Sequence, residues 1–520
     1  MTDQVVDPRE EAFKKIRMQN GIEVIGGELH LQVDALEQVL IEHPDCGIYQ
    51  RGGLLVEISE IPITNCKNIK RPEGTKAIVQ VKVTRIREKG TEYATWKRYD
   101  NRIKANKNID CPRDVARTLA ERNSWRLPVL RGVIGAATIT ETGRLLTQHG
   151  YDFDTALYLE SKNWIRIERE DNLTKEDAVK ALDKLREIIS EFPFIDAAAE
   201  SVWFAALLTA LIRWSLRTAP FFGFDAPVMG SGKTFLATLI SLLVNGQSPA
   251  VMTLPRDETE MGKGLLAVLL AGDPVLVIDN VENIITSETL CTISTSPIFK
   301  GRLLGETKII AVSTAVVLII TGNNLTIRGD LSTRILISRL DPVVEHPEER
   351  IFKRSNLRDY VLTNRYEFVN AALTLLKAYQ VAGRPDTGLK PFGRFEEWDA
   401  LVRSPLVWAG AADPCETRSR VEQIDPDREQ LGEFLLAWWD LYKDKEVLVR
   451  QMAMDISSGG DEMHDALRDV IHVIAADGNK INTRRLGRRI SRWEGRVCEG
   501  LRITRGGEVH RAQAWHCNNQ

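Results

Sequence analysis

A glycine-rich loop between two apolar segments constrains the fold of this chain more than any other feature. The segment "DAPVMGSGKT" follows the apolar run "FFGF" and precedes "FLATLISLLV", which predicts a strand, a loop and a helix in succession. In that order, the loop N–H groups and the positive end of the helix surround a phosphate group. The sequence therefore predicts a nucleotide site in an α/β fold.

The residue types inside the loop fit this chemistry. Gly230 and Gly232 stand where a side chain would collide with phosphate, Lys233 would neutralise the β- and γ-phosphates, and the Thr234 hydroxyl would hold Mg²⁺. Pro227 replaces the usual first glycine, and its fixed φ is compatible with starting the turn. The predicted nucleotide-binding residues are Pro227, Gly230, Ser231, Gly232, Lys233, Thr234 and Phe235.

Two later apolar runs end in polar residues. "DPVLVIDN" ends at Asp279, which predicts a Mg²⁺-organising carboxylate at the end of a buried parallel strand, so Thr234 and Asp279 are the predicted metal ligands. The next residue is Asn280 rather than a glutamate, and the nearest acid that could activate water is Glu282. "AVVLIITGNN" places Asn323 where the γ-phosphate and the attacking water would lie.

Two arginines precede the next apolar strand. "IRGDLSTRILISRLDP" contains Arg328 and Arg334, and an arginine at this place can reach the γ-phosphate bound by a neighbouring subunit, which implies a ring. A surface ion pair is the alternative for either residue. The predicted catalytic residues are Lys233, Asp279, Glu282, Asn323 and Arg334.

The N-terminal region predicts an α+β domain. "GIYQRGGLLVEI" has the pattern of a hairpin around Arg51-Gly52-Gly53, and "AIVQVKV" alternates like a strand. The segment "EYATWKRYDNRIKANKN" interleaves aromatic and basic side chains. It predicts either base stacking beside a charged groove or a solvated basic helix with its aromatic residues in the core.

The C-terminal end carries a local excess of positive charge. Residues 480–520 contain ten Lys or Arg and three Glu in a chain whose net charge is -3. Residues 461–476 read as a helix, residues 482–495 as a second helix capped by Asn482 or Thr483, and residues 501–517 as a two-stranded wing turning at Gly506-Gly507. This predicts a winged helix that binds DNA phosphates; a basic protein-docking tail is the alternative. The predicted contacts are Arg484, Arg485, Arg488, Arg489 and Arg492.

Composition narrows the class of protein. Seven cysteines are scattered without a CxxC pair, which predicts a reduced protein without a structural metal. The N-terminus is acidic and polar, unlike a secretory signal, and the longest apolar stretches are short or contain Arg213. We therefore expect a cytoplasmic protein that does not enter membranes.

The motifs together resemble a known group of ATPases. "DAPVMGSGKTFLA", "VLVIDNV", "GRLLGETK", "TGNNL" and "GDLSTRILISRLDPVVEHPEER" are similar to AAA+-type ATPases of phages, plasmids and integrated elements, related to superfamily III and MCM-like primase-helicases. The resemblance covers Ile195 to Ala382 and extends loosely to residues 111–160. It implies ATP-driven, hexameric work on DNA, often by a self-loading replicative helicase. No polymerase-type primase domain is recognisable, so we carry over no primase activity.

The resemblance also bears on the segment before the sensor strand. "GRLLGETKIIAVS" could form a hairpin, which in similar helicases enters the central channel and grips single-stranded DNA, with Arg302 and Lys308 as its basic residues. A plain edge strand is the alternative.

The expected architecture is an α/β P-loop NTPase core, AAA+-like with a parallel sheet and flanking helices, joined to smaller domains. The expected domains are an N-terminal α+β domain (1–173), a helical linker (174–194), the ATPase core (195–345), a helical lid (346–460) and a winged helix (461–520). We expect an EC 3.6.4-type ATPase that uses ATP and Mg²⁺, a homo-hexamer that binds single-stranded DNA in its channel and duplex DNA at the winged helix. Replication proteins are its possible partners. An ATP-switched helicase loader or replication regulator is the alternative, and a defence-system ATPase is a third reading.

Overall fold

The protein was analysed as a computed structural model. It describes residues 17–18, 21–61, 69–161, 170–303, 308–342, 347–349, 354, 356–424, 426–477, 480–509 and 512–519. The chain divides into two compact units. The first comprises Met1–Glu282, Ser287–Leu325 and Arg334–Glu416, and the second comprises Asn283–Thr286, Thr326–Thr333 and Thr417–Gln520.

Among its described residues, the N-terminal part of the first unit contains three helices and a set of short strands. The helices are α1 (Leu29–Glu42), α2 (Val83–Tyr93) and α3 (Arg113–Glu121). The strands are β1 (Arg17–Met18), β2 (Gly21–Glu23), β3 (Ile48–Arg51), β4 (Leu54–Ile61), β5 (Ile69–Lys70), β6 (Thr75–Gln80), β7 (Trp96–Asp100), β8 (Ala105–Ile109), β9 (Gly132–Ile134), β10 (Thr138–Ile139), β11 (Leu145–Leu146), β12 (Gly150–Asp152) and β13 (Leu157–Leu159).

These strands form small separate sheets, ordered β1-β2-β7-β8, β3-β4-β6, β12-β13-β9 and β10-β11. The predicted hairpin at Arg51-Gly52-Gly53 is confirmed: β3 and β4 pair antiparallel with Arg51 opposite Leu54, and both glycines have positive φ, as a two-residue turn of this kind requires. Strand β6 ends at Gln80 and α2 begins at Val83, so the predicted "AIVQVKV" strand is shorter than expected and only its last residue is helical.

The region predicted to be the ATPase core follows in the same unit. Its helices are α4 (Lys175–Ile189), α5 (Ala197–Ile212), α6 (Lys233–Asn245), α7 (Glu258–Ala271) and α8 (Glu288–Thr295). Its strands are β14 (Phe221–Ala226), β15 (Ala250–Met252), β16 (Val275–Val281), β17 (Ile298–Arg302), β18 (Ile309–Ser313), β19 (Val317–Asn323) and β20 (Ile335–Arg339).

The central sheet has the order β20-β14-β19-β16-β15-β5. All neighbouring pairs are parallel except β15 with β5, which are antiparallel. Parallel strands with helices on both faces are buried, and this explains why β14, β16 and β19 are continuous apolar runs. The predicted order of strand, glycine-rich loop and helix is confirmed by β14, residues 227–232 and α6.

Two helices, α4 and α5, precede β14 in the chain. Thr174 caps α4 through a reciprocal capping box with Asp177. Helix α5 and the 3₁₀ turn after it are long and apolar enough to cross a membrane, but 89% of that stretch is buried inside the protein. Helix α5 is apolar on all sides because it lies inside the core.

The rest of the first unit is helical. Its elements are α9 (Leu357–Thr363), α10 (Arg365–Val381), α11 (Glu396–Trp398) and α12 (Ser404–Trp408). Helix α10 packs along α4, so the predicted linker helix is part of the core packing. Short 3₁₀ or π-helical turns lie at Pro44–Cys46, Glu170–Asn172, Arg213–Ser215, Gly329–Arg334, Pro347–Glu349, Asp399–Arg403 and Pro414–Thr417.

The second unit is an α/β module with its own core. Its helices are α13 (Arg418–Ile424), α14 (Pro426–Tyr442), α15 (Val449–Ser458), α16 (Glu462–Ala475) and α17 (Thr483–Trp493). Its strands are β21 (Val447–Leu448), β22 (Ala476–Asp477), β23 (Lys480–Ile481), β24 (Val497–Cys498), β25 (Leu501–Val509) and β26 (Ala512–Asn519). Phe434, Trp438 and Trp493 are fully buried at its centre. The predicted boundary at 460/461 falls between α15 and α16 inside this unit.

The two C-terminal strands differ from the prediction in one respect. Strands β25 and β26 pair antiparallel up to Val509 opposite Ala512, and residues 510–511 between them lie outside the described residues. The predicted turn at Gly506-Gly507 is wrong because these glycines lie within β25, where the register shifts between Arg505 and Glu508. Glycine in a strand is as typical of a bulge as of a turn.

Candidate functional site

The carboxyl ends of β14, β16 and β19 meet at one edge of the central sheet and border an open cleft of about 420 Å³. This volume lies within the usual range of ligand pockets, about 300–1,000 Å³. The cleft is lined by Met229, Gly230, Ser231, Gly232, Lys233, Thr234, Phe235, Asp279, Asn280, Thr321, Gly322 and Asn323. Of the predicted nucleotide-binding residues, all except Pro227 line it.

The loop before α6 holds its curved shape through its own backbone. Gly230 and Gly232 have φ of +73° and +92°, a region that favours glycine. A side chain at position 232 would also come within 2.8 Å of the Phe192 ring. The Ser231 hydroxyl and the Lys233 ammonium both donate to the Val228 carbonyl oxygen, at 2.6 and 2.9 Å. These bonds place the lysine beneath the loop, beside the cleft.

Two hydroxyl groups hold the Asp279 carboxylate. Thr234 Oγ1 and Thr321 Oγ1 both donate to Asp279 Oδ1, at 2.7 and 2.6 Å. The predicted metal ligands Thr234 and Asp279 are therefore in direct contact, although they come from α6 and β16. A hydroxyl and a carboxylate are oxygen ligands of the kind that Mg²⁺ prefers, so these residues fit a magnesium ion shared with phosphate oxygens. The sequence did not single out Thr321, whose hydroxyl contacts this carboxylate.

Asn280 and Glu282 occupy different places. Asn280 lines the cleft in a left-handed conformation, φ +53°, and its N–H donates to Thr321 Oγ1 at 3.2 Å. Glu282 is exposed and outside the lining, and its Oε1 accepts a 3.3 Å bond from Asn280 Nδ2. The candidate base is thus linked to the cleft through Asn280.

Asn323 lies at the carboxyl end of β19, which pairs with β14 on one side and with β16 on the other. Its Oδ1 atom is buried, lines the cleft region and has no hydrogen-bond partner among the described residues. A buried polar atom without a partner is costly, which favours a ligand at this position. At the neighbouring Gly322, a Cβ atom would lie 2.3 Å from the Val281 carbonyl oxygen, so glycine allows the two strand ends to approach.

Burial shapes the electrostatics of the cleft. Lys233 is only 9% exposed, and desolvation lowers its pKa, while the nearby Asp225 and Asp279 charges act in the opposite direction. Burial also raises the pKa of Asp225 at the end of β14, against the bonds it accepts from Leu325 N–H and Arg339. An ion that supplies negative charge beside Lys233 would relieve the cost of its burial.

The two candidate arginines lie in different settings. Arg334 is only 7% exposed, and its Nη1 donates to the Cys291 carbonyl and the Thr295 hydroxyl of its own α8, at 2.5 and 2.9 Å. Arg328 belongs to the second compact unit, where its Nε lies 3.7 Å from Asp427 Oδ1.

Strands β17 and β18 pair antiparallel, as in the hairpin that the sequence left open against a plain edge strand; residues 304–307 between them lie outside the described residues. Lys308 is bound inside the same unit: its Nζ donates to Gly53 O at 2.6 Å and to Asn123 Oδ1 at 2.8 Å. Arg302 lies on the exposed side of β17. The hairpin is therefore attached to the N-terminal part through its lysine.

Helix α17 carries its basic residues on one side and its apolar residues on the other. Asn482 caps it by accepting from Arg485 N–H, and Leu486, Ile490 and Trp493 are buried. Arg489 differs from the other predicted contacts because its guanidinium is bonded to Asp427 and Gln430, at 2.6 and 2.8 Å. The exposed arginines of this helix are Arg484, Arg485, Arg488 and Arg492.

Several solved structures align with this chain at low similarity. Two apo structures of the NrS-1 C-terminal region align with TM-scores of 0.37 and 0.40 at 11% and 12% identity, covering 86% and 92% of this chain and 96% and 98% of theirs. The SCCmec type IV Cch helicase, described as active, aligns with a TM-score of 0.33 at 10% identity and covers 84% of this chain and 96% of its own. No protein-family model and no curated protein matches the sequence.

Proposed function

We propose that this chain is an ATP-hydrolysing motor that translocates along DNA, a hexameric replicative helicase of a mobile genetic element. The observation that carries the proposal is the convergence of Lys233, the bonded Thr234–Asp279 pair and the unpartnered Asn323 oxygen in one cleft. These groups provide the positive charge, the metal ligands and the polar contact that phosphoryl transfer to water requires.

Each residue has a role in this scheme. Lys233 and the loop N–H groups bind the β- and γ-phosphates, and Thr234 and Asp279 hold the magnesium ion, which neutralises phosphate charge. Thr321 keeps Asp279 oriented by its hydroxyl bond. Asn323 positions the γ-phosphate or the attacking water, and Glu282, acting through Asn280, is the proposed source of the base.

We propose a ring because an arginine of one subunit would complete the site of the next. Arg334 is the proposed donor, and in the single chain its guanidinium is bonded beneath α8. Assembly must therefore exchange the bonds to Cys291 and Thr295 for a contact with the neighbouring nucleotide. DNA would be contacted by the hairpin residues Arg302 and Lys308 and by α17 of the second unit.

A nucleotide-switched loader or regulator is the second candidate, and one observation favours it. Asp279 is the one acidic residue among the described residues that line the cleft, and Glu282 lies outside it. A site without a directly placed base hydrolyses ATP slowly, which suits a switch better than a motor.

The two functions differ in repeated turnover. A motor should hydrolyse ATP at a rate that single-stranded DNA raises at least several-fold, and should separate the strands of a forked substrate. A switch should bind ATP and DNA with at most one turnover per assembly and no strand separation. Steady-state ATPase and fork-unwinding assays, with Lys233→Ala as the inactive control, test the proposal; absence of both DNA stimulation and unwinding rejects the motor.

A further inference from the structure

The hairpin of β7 and β8, residues 96–109, is an exposed basic element of the N-terminal part that the ATPase mechanism does not use. The two strands pair antiparallel from Trp96 opposite Ile109 to Asp100 opposite Ala105, and β8 is the edge of its sheet. Trp96 is 1% exposed and anchors the base of the hairpin, where its indole N–H donates to Gly90 O at 2.8 Å. Beyond this anchor, residues 98–99 and 101–108 are exposed.

The hairpin concentrates positive charge without internal compensation. It has five basic residues and one acidic residue, Asp100, whose Oδ1 accepts the Arg102 N–H at 2.8 Å. Arg98 stands directly opposite Lys107, an arrangement of like charges that destabilises a strand pair. Within the part of the chain that the structure describes, none of four basic side chains forms an ion pair: Arg98, Arg102, Lys104 and Lys107.

Other arginines of the same domain are paired, which makes the hairpin an exception. The pairs are Arg85 with Glu57 at 3.1 Å, Arg87 with Asp110 at 2.9 Å, Arg117 with Glu121 at 2.9 Å and Arg122 with Asp34 at 2.5 Å. Lysine on an edge strand can protect a sheet from aggregation, and this explains Lys107 on β8. It does not explain Arg98 on the inner strand β7, nor the two further cations at the turn.

The opposite face of the hairpin supplies groups that can contact bases. Side chains alternate along a strand, so Lys97, Tyr99, Asn106 and Asn108 share the face that does not carry Arg98. The Tyr99 ring is 53% exposed, and Asn106 stands directly opposite it; the Asn106 amide also donates to Glu23 Oε1 at 3.4 Å. An exposed ring beside amide groups can stack on an unpaired base and bond to its edge.

We propose that the β7–β8 hairpin is a single-stranded DNA-binding arm, in which Arg98, Arg102, Lys104 and Lys107 contact phosphates and Tyr99 stacks on a base. The choice of a nucleic acid as the polyanion rests on the proposed function, whereas the site lies outside the ATPase core and needs no nucleotide.

The test uses the full chain without nucleotide and measures binding of a fluorescent 30-nucleotide oligo(dT) and of a 30-base-pair duplex at several salt concentrations. The arm variant is Arg98→Gln/Arg102→Gln/Lys104→Gln/Lys107→Gln. The control removes four exposed basic residues elsewhere in the same unit: Lys70→Gln/Lys82→Gln/Arg113→Gln/Lys180→Gln.

The arm variant should bind oligo(dT) at least about tenfold more weakly at 100 mM salt, and its log–log salt slope should be smaller by about 2 to 3, since each single-strand phosphate contact contributes about 0.7. The control variant should change both quantities much less. Equal losses in the two variants, or no loss in the arm variant, overturn the proposal. The melting temperature of the arm variant should not fall, because the substitutions remove the Arg98–Lys107 repulsion. A lower melting temperature with unchanged binding per folded molecule would show that the four residues have a structural role and would overturn the proposal.

Tyr99→Ala separates stacking from charge. It should weaken oligo(dT) binding by about tenfold without changing the salt slope, and leave duplex binding nearly unchanged. An equal loss for duplex and single strand overturns the single-strand assignment. The two proposals can fail separately. If hydrolysis by the wild type does not respond to DNA and the arm variant binds oligo(dT) weakly, the motor is rejected and the arm is supported. If DNA stimulates hydrolysis by the wild type and the arm variant binds normally, the motor is supported and the arm is rejected.

Discussion

The proposed nucleotide cleft and the β7–β8 hairpin differ in whether their charged groups have partners within the protein. In the cleft, Lys233 donates to Val228 O, and Asp279 accepts from two threonines, so each charge is held by a partner within the protein. In the hairpin, Arg98 faces Lys107 and neither has an acidic partner among the described residues. Internal partners fix the geometry of a group for chemistry, whereas charges without internal partners are available to an external polyanion. The comparison predicts that changes in the cleft affect turnover, and changes on exposed basic surfaces affect binding and its salt dependence.

The largest effect is expected at the lysine of the cleft. Lys233→Ala should reduce ATP hydrolysis by about 10³-fold, because it removes the charge preorganised beside the transferring phosphate. The protein should stay folded, with unchanged circular dichroism. Lys180→Ala, on the exposed side of α4, is the matched control and should retain full activity. Wild-type turnover in Lys233→Ala would mean that the cleft is not the ATPase site.

Arg334→Ala tests whether the chemistry needs a neighbouring subunit. It should lower hydrolysis by about 10²-fold while ATP binding persists. Mixing it with Lys233→Ala should restore some activity, because a mixed interface pairs an intact loop with an intact arginine. Because Arg334 also donates hydrogen bonds to α8, the melting temperature of Arg334→Ala must be measured together with its hydrolysis.

An unfolded Arg334→Ala protein would show that the arginine is structural. A folded, inactive variant without restoration in exchanged mixtures would exclude the trans role and direct the same test to Arg328.

A smaller loss is expected at Thr321, which touches Asp279 behind the proposed metal site. Thr321→Val keeps the side-chain shape but removes the hydroxyl bond to Asp279, and should reduce kcat by about tenfold, since a hydrogen bond to a charged group contributes about 1.5–3 kcal/mol. The concentration of Mg²⁺ at half-maximal rate should rise. Thr321→Ser, which keeps the hydroxyl, should restore most of the activity; failure of this rescue would argue against a positioning role.

The sequence predicted which residues border the cleft better than it predicted the contacts between them. The loop, Asp279 and Asn323 were identifiable because each follows an apolar strand, and parallel strands bring their carboxyl ends to one edge. Thr321 was not singled out, because its role depends on β19 lying next to β16, a long-range pairing without a local signal. The same holds for the Asp225–Arg339 pair, which joins neighbouring strands that are 114 residues apart in sequence.

Burial was harder to predict than secondary structure. The sequence does not distinguish Arg334, Lys308 and Arg489 from exposed basic residues, but the side chain of each donates hydrogen bonds within the protein. The basic segment at residues 92–108 was expected as a groove or a helix, and the helix is wrong because the segment after Tyr93 alternates and turns back as two strands. Of its three aromatic residues, Trp96 is buried, Tyr93 stacks on His43 and Tyr99 is exposed.

The exposed arginines of α17 offer a binding effect without a catalytic one. Deleting residues 480–520 would remove Trp493 and β26 from the core of the second unit, so substitution is the sharper test. Arg484→Gln/Arg488→Gln/Arg492→Gln should reduce duplex binding about five- to tenfold and lower the salt slope by up to about 2.7, with unchanged basal hydrolysis.

Arg489→Gln is the matched single control, because its guanidinium bonds to Asp427 and Gln430. It should lower the melting temperature of the second unit with little change in salt slope. A triple variant with the wild-type slope would favour the protein-docking reading of this surface.

The smallest effect expected is a pH-dependent gain in stability when the buried charge of the cleft is removed. Burial lowers the pKa of Lys233 below its ordinary value of 10.5, so between the lowered pKa and 10.5 the unfolded chain binds more protons than the folded one. The free energy of unfolding therefore rises with pH in that window, and below that window the burial of the charged lysine has its full cost.

Lys233→Met removes this cost, while Ser231 still donates to Val228 O. Without nucleotide, Lys233→Met should melt about 1 °C higher than the wild type at pH 7, a difference that shrinks towards pH 10.5. Lys180→Met should show no such trend, and Mg·ATP should raise the melting temperature of the wild type far more than that of Lys233→Met. A wild type that is more stable than Lys233→Met at pH 7 without nucleotide would show that the hydrogen bond from Lys233 to Val228 O outweighs the cost of desolvation.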